Sequence, residues 1–387
     1  MLRLIHQGSR STVLASFVLT LTLVSDAVLY LLLPLFFDSF GLTVLWVGIL
    51  LSANRFVRLF VNPWLVPWFQ YFGARTALIQ AVVLASAASL SFVFLFSPWT
   101  LLFARLLWGC AYALMRLACL HYATEEPERR MINLGWYTSI QEMGPLLVIL
   151  LTPLLVVHIS AQAVLLLAFV LCLLALIPAL ALPVPHTDRG VSTGAQWPWP
   201  DAWHRLTFLL CLLFDGVWTV ILAPLLVATG WSIPMALTIT SALLVFKRIY
   251  NTTLGMLTVR FDIWQHDRFW LVIALGLMLV ACGLMGLHVV LLASVLGILG
   301  HGAFMILVPK LLSDRAGTVL ERQQTLNTFT FWRDLAAAVG ALLASALIAW
   351  QSAAGFYAVG GVILLGLLIA LYYGERHRSS TSPHSTE

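Results

Sequence analysis

Apolar runs long enough to cross a lipid bilayer follow one another along almost the whole chain, with only short polar breaks between them. A helix crosses the hydrocarbon layer with about 20 apolar residues. Charged residues make up only 10% of the chain, against about 25% in soluble domains, so a water-soluble fold is excluded. Hydropathy predicts twelve transmembrane helices, at about 13–37, 42–61, 75–95, 99–122, 132–157, 161–184, 206–229, 233–257, 269–287, 290–312, 323–348 and 354–373. The predicted fold class is an all-α membrane protein.

The Lys and Arg residues of the polar breaks all fall on one side of this topology. They are Arg3, Arg10, Arg75, Arg129, Arg130, Arg189, Arg205, Arg260, Arg268, Arg315, Arg322, Arg376 and Arg378. The opposite turns, at 38–41, 96–98, 158–160, 230–232, 288–289 and 349–353, contain no Lys or Arg. Because short loops rich in Lys and Arg stay in the cytoplasm, both termini are predicted to be cytoplasmic. The very short external loops favour a multi-pass protein of a bacterial inner membrane.

The chain is predicted to consist of two homologous halves. A polar break at 185–205, rich in Pro, Gly, Ser and Thr, separates an N-terminal six-helix bundle at 1–184 from a C-terminal bundle at 206–373, and a polar tail follows at 374–387. A constant shift aligns Asp26 with Asp215, Arg58 with Lys247, and Asn62 with Asn251, and a slightly larger one aligns Tyr137, Thr138 and Glu142 with Phe329, Thr330 and Asp334. An internal duplication explains these matches.

Short motifs in the first half resemble those of the major facilitator superfamily. Asn62, Pro63, Gly73 and Arg75 match part of that family's loop motif, GxLaDrxGrr, and Gly255, Leu257 and Arg260 match it in the second half. Arg105 and Gly109 match its RxxqG pattern in the fourth span, and Gly144 and Pro145 match the core of its antiporter pattern in the fifth span.

Both copies of the loop motif lack the family's carboxylate, and the first copy also has Val66 in the place of the motif's first Gly. Gln70 and Val259 occupy the positions of the conserved Asp, so the cytoplasmic ion pair that this Asp forms is not expected here. The resemblance still implies two pseudo-symmetric six-helix bundles around a central cavity and transport by alternating access. Its motif pattern is closest to that of the twelve-span drug and metabolite antiporters that exchange protons. Within the motifs, Arg58, Asn62, Gly73, Arg75, Gly109, Gly144, Pro145, Lys247, Asn251, Gly255 and Arg260 are predicted to take part in gating.

Four acidic residues lie inside the predicted spans, namely Asp26, Glu142, Asp215 and Asp334. A charge at bilayer depth costs at least about 2.5 kcal/mol, so each acid must face a cavity or a charged partner. Low dielectric favours the protonated carboxyl group, whereas an approaching cation favours the carboxylate. These acids, tuned by Arg105, are therefore predicted to couple transport to protons. The alternative for each is an ion pair that only holds helices together.

The embedded cations outnumber the embedded acids and favour an anionic or zwitterionic substrate. Arg58 and Lys247, near the cytoplasmic ends, also fit residues that extend to the interface. The residues predicted to bind substrate are Arg55, Arg116, Arg248, Lys310 and Arg333, with the aromatic residues Tyr112, Trp136, Tyr137, Trp218 and Phe329. Guanidinium groups suit carboxylates and phosphates. Trp and Tyr near span ends also serve as interface anchors.

Several other classes of function find no support in the sequence. His121, His158 and His301 stand far apart, and the five cysteines lie in apolar runs without CxxC spacing, so neither a metal site nor a cofactor is predicted. P-loop, GxSxG and HExxH patterns are absent, which argues against an ATP-driven pump and against an enzyme. The predicted partners are a small-molecule substrate, protons and the lipid bilayer, without nucleic acid, and the chain is predicted to be a monomer.

The leading prediction is a secondary active transporter, a proton-coupled exporter of a small anionic or zwitterionic organic compound. One alternative is an uptake permease for a carboxylate-rich metabolite or siderophore. Another is a membrane sensor that does not transport.

Overall fold

The computed structural model describes residues 7–36, 41–42, 44–94, 97–183, 197–261, 264, 266–349 and 353–381. Within these ranges the chain forms helices and no strand. The helices are α1 (Gln7–Phe36), α2 (Val44–Phe72), α3 (Ala74–Phe94), α4 (Pro98–Thr124), α5 (Arg130–His158), α6 (Ala161–Leu174), α7 (Leu176–Leu180), α8 (Ala202–Cys211), α9 (Trp218–Ala228), α10 (Ile233–Arg260), α11 (Asp267–Gly286), α12 (Val290–Arg315), α13 (Val319–Ala349) and α14 (Ala353–Thr381). A 3₁₀ turn at Pro127–Arg129 precedes α5, and a π-helical segment at Leu212–Val217 joins α8 to α9.

Each of the twelve predicted spans coincides with one helix or one continuous series of helices. The sixth span corresponds to α6 and α7, and the seventh to α8, the π-helical segment and α9. This arrangement confirms the predicted fold class of an all-α membrane protein.

Among the described residues, 8 helical stretches are long and apolar enough to cross a membrane by length and composition. The helices α2, α5, α10 and α13 carry charged and amide side chains along their length. In lipid such side chains must face protein or water, so these four helices supply inward-facing polar groups.

Local sequence explains where several helices begin and turn. Ser160 accepts a hydrogen bond from the backbone N–H of Ala163 (3.2 Å) at the start of α6, and Asp201 does the same for His204 (2.9 Å) at the start of α8. Partial burial opposes ionisation of Asp201, but the hydrogen bonds from His204 outweigh it and lower the pKa of this carboxyl group. Gly73, with φ 79°, makes the turn between α2 and α3, a backbone conformation that glycine adopts readily.

The chain divides into two compact units. Unit 1 comprises Met1–Pro198, Val245–Asp267 and Met305–Asp334, and unit 2 comprises Trp199–Leu244, Arg268–Phe304 and Leu335–Glu387. Unit 1 therefore joins α1–α7 to the C-terminal parts of α10 and α12 and the N-terminal part of α13. The first part of the predicted linker, at 185–196, and the last residues of the predicted tail, at 382–387, lie outside the described residues. The division into two homologous halves stays a prediction.

Candidate functional site

A row of cationic and aromatic side chains follows one face of α4 in unit 1. Arg105, Trp108, Tyr112 and Arg116 are spaced three or four residues apart, which places them on one side of a helix. Trp108 and Tyr112 stack with their ring centroids 5.3 Å apart. Gly109 lies within this stretch of α4 and lets α2 approach, because a Cβ there would lie 2.6 Å from the backbone oxygen of Asn54. We call these four side chains the α4 row.

The first member of the α4 row pairs with an acid on α1. Arg105 is fully buried, and its Nη1 donates a hydrogen bond to the Asp26 carboxylate. Its Nε donates to the backbone oxygen of Leu50 on α2 (2.8 Å), and the guanidinium lies 5.1 Å from the ring centroid of Tyr30. Asp26 keeps 14% of its side chain exposed. The carboxylate is thus held by one arginine and remains partly accessible, as a proton-binding group requires.

The last member of the α4 row pairs with an acid on α13. Nη1 and Nη2 of Arg116 donate to the two oxygens of Asp334 at 2.9 and 2.6 Å, a bidentate arrangement. Nη2 also donates to the backbone oxygen of Thr330 (3.0 Å). Arg58 on α2 places Nη1 3.5 Å from the same carboxylate, so two guanidinium groups share one buried acid.

The two ion pairs are connected through the rings of the α4 row. The Tyr112 ring has the guanidinium of Arg58 at 4.8 Å and that of Arg116 at 5.3 Å from its centroid, and Arg105 lies 5.9 Å from the Trp108 ring. Cation–π contacts of this kind stabilise desolvated guanidinium groups. Three arginines with two carboxylates leave this part of unit 1 with a positive excess, which favours an anion.

A third ion pair joins α5 to α10. Nη1 of Arg248 donates to Oε2 of Glu142 at 2.8 Å, and both side chains remain partly exposed. Further along α5, the backbone N–H of Gly144 donates to Oγ1 of Thr20 on α1 (2.9 Å). A Cβ at Gly144 would lie 2.5 Å from the Thr20 backbone oxygen, so glycine is required for this close crossing of α1 and α5.

Helices of the two sequence halves also meet through an amide pair and a glycine pair in unit 1. The side chains of Asn62 on α2 and Asn327 on α13 each donate to the other's side-chain oxygen, at 3.1 and 3.0 Å, and to its backbone oxygen. On the other side, Gly135 of α5 faces Gly255 of α10, where a Cβ on Gly135 would lie 2.7 Å from the Gly255 oxygen. Ser139 donates to the Thr252 backbone oxygen in the same contact (2.8 Å).

Ion pairs follow at the helix ends where the cationic loops lie. Arg130, at the start of α5, pairs with Asp314 on α12. Nζ of Lys310 donates to Asp314 at 2.9 Å and to Asp267, at the start of α11, at 2.6 Å. We call the Asn62–Asn327 pair, the Gly135–Gly255 contact and these ion pairs the basic-end contacts.

The remaining predicted residues have different surroundings. Arg55 is partly buried on α2 and makes no hydrogen bond or ion pair with another described residue. Trp136 and Arg333 are partly buried, Tyr137 and Phe329 are buried, and Lys247 is partly buried on α10. Arg75 donates to the backbone oxygen of Leu180 at the end of α7 (2.7 Å), and Arg260 lies 5.8 Å from the Phe261 ring centroid. The roles assigned to these residues stay predictions.

Sequence reasoning missed several polar residues in these contacts. Asn54 accepts from Nε of Arg58 (3.1 Å) through its backbone and from Tyr30 (3.3 Å) through its side chain, and Asn327 completes the amide pair. His301, which stands alone in the sequence, places Nε2 3.4 Å from the Asp215 carboxylate in unit 2. Asn54 and Asn327 are amides embedded in predicted spans, a signal that the sequence contains, whereas the position of His301 depends on helix packing.

Comparison with known proteins gives a consistent result. The family model of the Major Facilitator Superfamily matches residues 15–318, and no curated protein matches the chain. Three solved structures are similar in fold. The human organic anion transporter MFSD10 (TETRAN) has 16% sequence identity and a TM-score of 0.73, and the match covers 94% of this chain and 99% of that one. An outward-facing bacterial homologue of the iron transporter ferroportin has 15% identity and a TM-score of 0.73, with 94% of this chain and 98% of that one covered, and a variant of the E. coli fucose:proton symporter FucP has 14% identity and a TM-score of 0.68, with 93% and 97% covered. At these identities the likeness concerns the fold alone.

Proposed function

Because the chain belongs to the Major Facilitator Superfamily, we propose that it is a proton-coupled secondary transporter that exports a small anionic or zwitterionic organic compound by alternating access. Membership of this family and the apolar helices make it an integral multi-pass membrane protein. The one-sided distribution of arginines supports cytoplasmic termini, and the very short external loops support a bacterial inner membrane.

One observation carries this proposal, namely the two arginine–carboxylate pairs at the ends of the α4 row. A buried pair is stable while it stays intact, but removal of one partner leaves an uncompensated charge. A substrate that brings its own charge can replace either partner if the displaced group is compensated in turn by a proton or by another charge. The pairs therefore offer two positions at which a charged substrate exchanges with a group of the protein.

The charge balance of the α4 row favours an anionic group on the substrate. Arg58 and Arg116 both face Asp334, so a substrate carboxylate that replaces this acid finds two guanidinium donors already oriented. Arg116 presents the planar fork that matches a carboxylate. Arg248, which is paired with Glu142 at a partly exposed position, provides another group of the same type.

The Asp26–Arg105 pair provides a way to exchange a proton for a zwitterionic substrate. An ammonium group near Asp26 favours the ionised carboxylate, and a proton on Asp26 removes the charge that binds the ammonium group. Proton and substrate thus exclude each other at this carboxylate. Such exclusion produces antiport, in which inward movement of a proton drives substrate out, and the Gly144–Pro145 sequence of α5 supports this direction through its resemblance to the antiporter pattern.

The basic-end contacts fit a cytoplasmic gate in its closed state. They join helices of both sequence halves through short-range contacts, including the Asn62–Asn327 amides. Opening on the cytoplasmic side requires these contacts to break together, since a close glycine crossing does not stretch gradually. The departure of Gln70 and Val259 from the loop motif is compatible with such a gate, because the amide pair and the Arg130–Asp314 pair hold the same ends of the helices.

Uptake by symport is the second candidate, and the Arg116–Asp334 pair favours it. An anion that takes the guanidinium of Arg116 leaves the Asp334 carboxylate with less positive charge, and protonation of that carboxylate then becomes more favourable. Anion and proton in that case bind together and move in the same direction. The sign of coupling depends on whether the substrate opens the pair at Asp26 or the pair at Asp334.

Transport into proteoliposomes tests the proposal. Purified protein is reconstituted in one orientation, a pH gradient is imposed in either direction, and uptake of labelled organic anions and zwitterions is measured with and without an uncoupler. We expect accumulation against a gradient only when protons flow in the opposite direction; accumulation with the protons supports symport instead. Absence of movement for every solute and gradient, in vesicles where the protein is folded, contradicts a transport function and leaves the sensor.

Matched arginine variants test the binding group. A charge-assisted hydrogen bond contributes about 1.5–3 kcal/mol, so Arg116→Gln should lower the affinity for an anionic substrate about tenfold to a hundredfold. Arg116→Lys should lower this affinity less. Arg205→Gln, at an exposed position of α8 outside the predicted binding residues, serves as the control for loss of one cation. Equal weakening of an acid and its ester by Arg116→Gln would show that this arginine is structural.

A further inference from the structure

A stripe of α12 faces α8, the π-helical segment and α9 inside unit 2. Nε1 of Trp218 donates to Oγ of Ser294 at 3.0 Å. One turn further along α12, a Cβ at Gly297 would overlap Cε1 of Phe214, so the helices approach closely where glycine removes the side chain. His301 follows Gly297 by one more turn on the same face. The antiparallel packing thereby brings His301 to the end of α8.

The π-helical segment sets the position of Asp215 on the facing side. Leu212–Val217 departs from the α-helical hydrogen-bond pattern, and such segments occur often at functional sites. Tyr357 of α14 donates to the backbone oxygen of Leu213 at 2.8 Å. A Cβ at Gly216 would lie 2.7 Å from the Gly340 Cα of α13. Contacts from α13 and α14 thus hold the segment that carries Asp215.

Three side chains with metal-binding atoms meet where these helices approach. Sγ of Cys211 lies 3.8 Å from Nε2 of His301, and the same nitrogen lies 3.4 Å from Oδ2 of Asp215. The sulfur, nitrogen and carboxylate oxygen are all within 4.8 Å of one another. Cys211 and His301 are buried, and Asp215 is half-buried.

Two of the three separations match the edges of a metal coordination tetrahedron, and the third, between Sγ of Cys211 and the Asp215 carboxylate oxygen, is no longer than 4.8 Å. Zn²⁺ lies about 2.3 Å from a thiolate sulfur and about 2.0–2.1 Å from an imidazole nitrogen, so two such ligands are about 3.5 Å apart across a tetrahedral site. The sulfur–nitrogen and nitrogen–oxygen separations differ from that spacing by only a few tenths of an ångström. Thiolate, imidazole and carboxylate together suit borderline transition metals and not Mg²⁺ or Ca²⁺, which take oxygen ligands.

We propose that Cys211, Asp215 and His301 bind one divalent transition metal ion of the Zn²⁺ or Co²⁺ type in unit 2. Three protein ligands leave a fourth coordination position open, as in exchangeable and catalytic sites, whereas closed structural sites use four. Binding requires the deprotonated thiol and the neutral imidazole, so it releases protons and strengthens as the pH rises. The site goes beyond organic-anion transport and uses none of the α4 row, and Asp215 takes the role of ligand instead of the predicted proton carrier.

Cobalt spectroscopy of the purified full-length protein tests the site. Protein prepared with an affinity tag free of histidine is stripped with chelator and titrated with Co²⁺ in detergent. We expect one ion per chain, a thiolate-to-cobalt charge-transfer band, intense d–d bands of tetrahedral type and displacement by Zn²⁺. If the parental protein does not bind Co²⁺ stoichiometrically, or binds it without the thiolate band, the proposal is overturned without the need for any variant.

Variants then identify the ligands. Outer partners of metal ligands contribute about tenfold to a hundredfold in affinity, so loss of a direct ligand through Cys211→Ser or His301→Gln should weaken Co²⁺ by at least about tenfold, and Cys211→Ser should abolish the thiolate band. Cys282→Ser is the matched control, since this cysteine is also buried in unit 2 but lies outside the cluster, and it should leave the spectrum unchanged. A band that survives Cys211→Ser or disappears in Cys282→Ser refutes the assignment.

Asp215→Asn, which keeps the shape of the side chain, should lower the affinity for Co²⁺ and keep the thiolate band. This variant provides the ligand test if the other variants do not fold. Organic-anion transport that persists after chelation leaves the two proposals independent.

Discussion

The Arg116–Asp334 pair permits a quantitative test through a double-mutant cycle. Arg116→Met keeps the apolar stem but leaves the buried Asp334 carboxylate with Arg58, whose Nη1 is 3.5 Å away, as its remaining ion-pair partner among the described residues. Removal of one partner of a buried pair costs about 3–5 kcal/mol. Because Arg58 still compensates in part, we expect a loss near the lower limit, about 3 kcal/mol of unfolding free energy.

The converse change and the double variant complete the cycle. Asp334→Asn leaves the Arg116 guanidinium with the Thr330 backbone oxygen at 3.0 Å and should also cost about 3 kcal/mol. The double variant removes both charges of the pair, so its loss should be smaller than the sum of the two single losses by about 2–3 kcal/mol. Arg55→Met is the control; this arginine has no ion pair with a described residue, and its loss should change stability by about 0.5 kcal/mol or less.

The measurement is the unfolding free energy of purified protein in mixed micelles, titrated with SDS and followed by circular dichroism. Coupling between the two sites is the quantity of interest, since it cancels effects that each substitution has by itself. Additive losses in the double variant, or a stability of Arg116→Met equal to that of Arg55→Met, would refute the reasoning that this pair is a buried, mutually dependent contact.

Four further predictions follow from the topology, the acids, the amide pair and a helix cap. Ser160→Cys should react with an impermeant thiol reagent only from outside, and Glu128→Cys only from the cytoplasm, in a background without other cysteines; cytoplasmic labelling at Ser160 contradicts the twelve-span topology. Asp26→Asn should abolish pH-driven transport but keep substrate exchange, because the amide keeps the shape and carries no proton; uphill transport at the parental rate assigns the proton to another acid. Asn62→Ala should weaken the amide pair by about 1–3 kcal/mol and raise the rate at which cysteines near the basic-end contacts react from the cytoplasm, and an unchanged rate argues against a gate. Asp201→Ala should cost about 1 kcal/mol at neutral pH, and this difference should vanish as the pH falls through the lowered pKa of Asp201, where protonation removes the same interaction; a loss that persists at low pH points to a cause other than the carboxylate.

The sequence predicts best the properties that depend on residues close together in the chain. Twelve apolar runs predicted where helices occur, because transfer of a helix into lipid depends on the sum of its own side chains. The same sum showed that Asp26, Glu142 and Asp334 are embedded and need partners. Gly109 and Gly144 were identified from motifs, and the structure adds the reason that each permits a close helix crossing.

The ion-pair partner of each embedded charge depends on the tertiary structure. Asp334 stands beside Arg333 in the sequence, but adjacent helical residues point in different directions, and the acid pairs with Arg116, which lies far away in the chain. Lys310, whose predicted role in substrate binding stays a prediction, pairs with acids at the start of α11 and near the end of α12. Neither pairing has a signal in local hydropathy.

His301 shows the physical reason most directly. Its distance to Asp215 depends on the rotation of α12, on the glycine contact at position 297 and on the π-helical segment that re-aims the acid. Each of these is set by packing between residues that are distant in the chain. Hydropathy is a local sum and so could be taken from the sequence, whereas the meeting of Cys211, Asp215 and His301 is a property of three-dimensional packing and arose only from the folded helices.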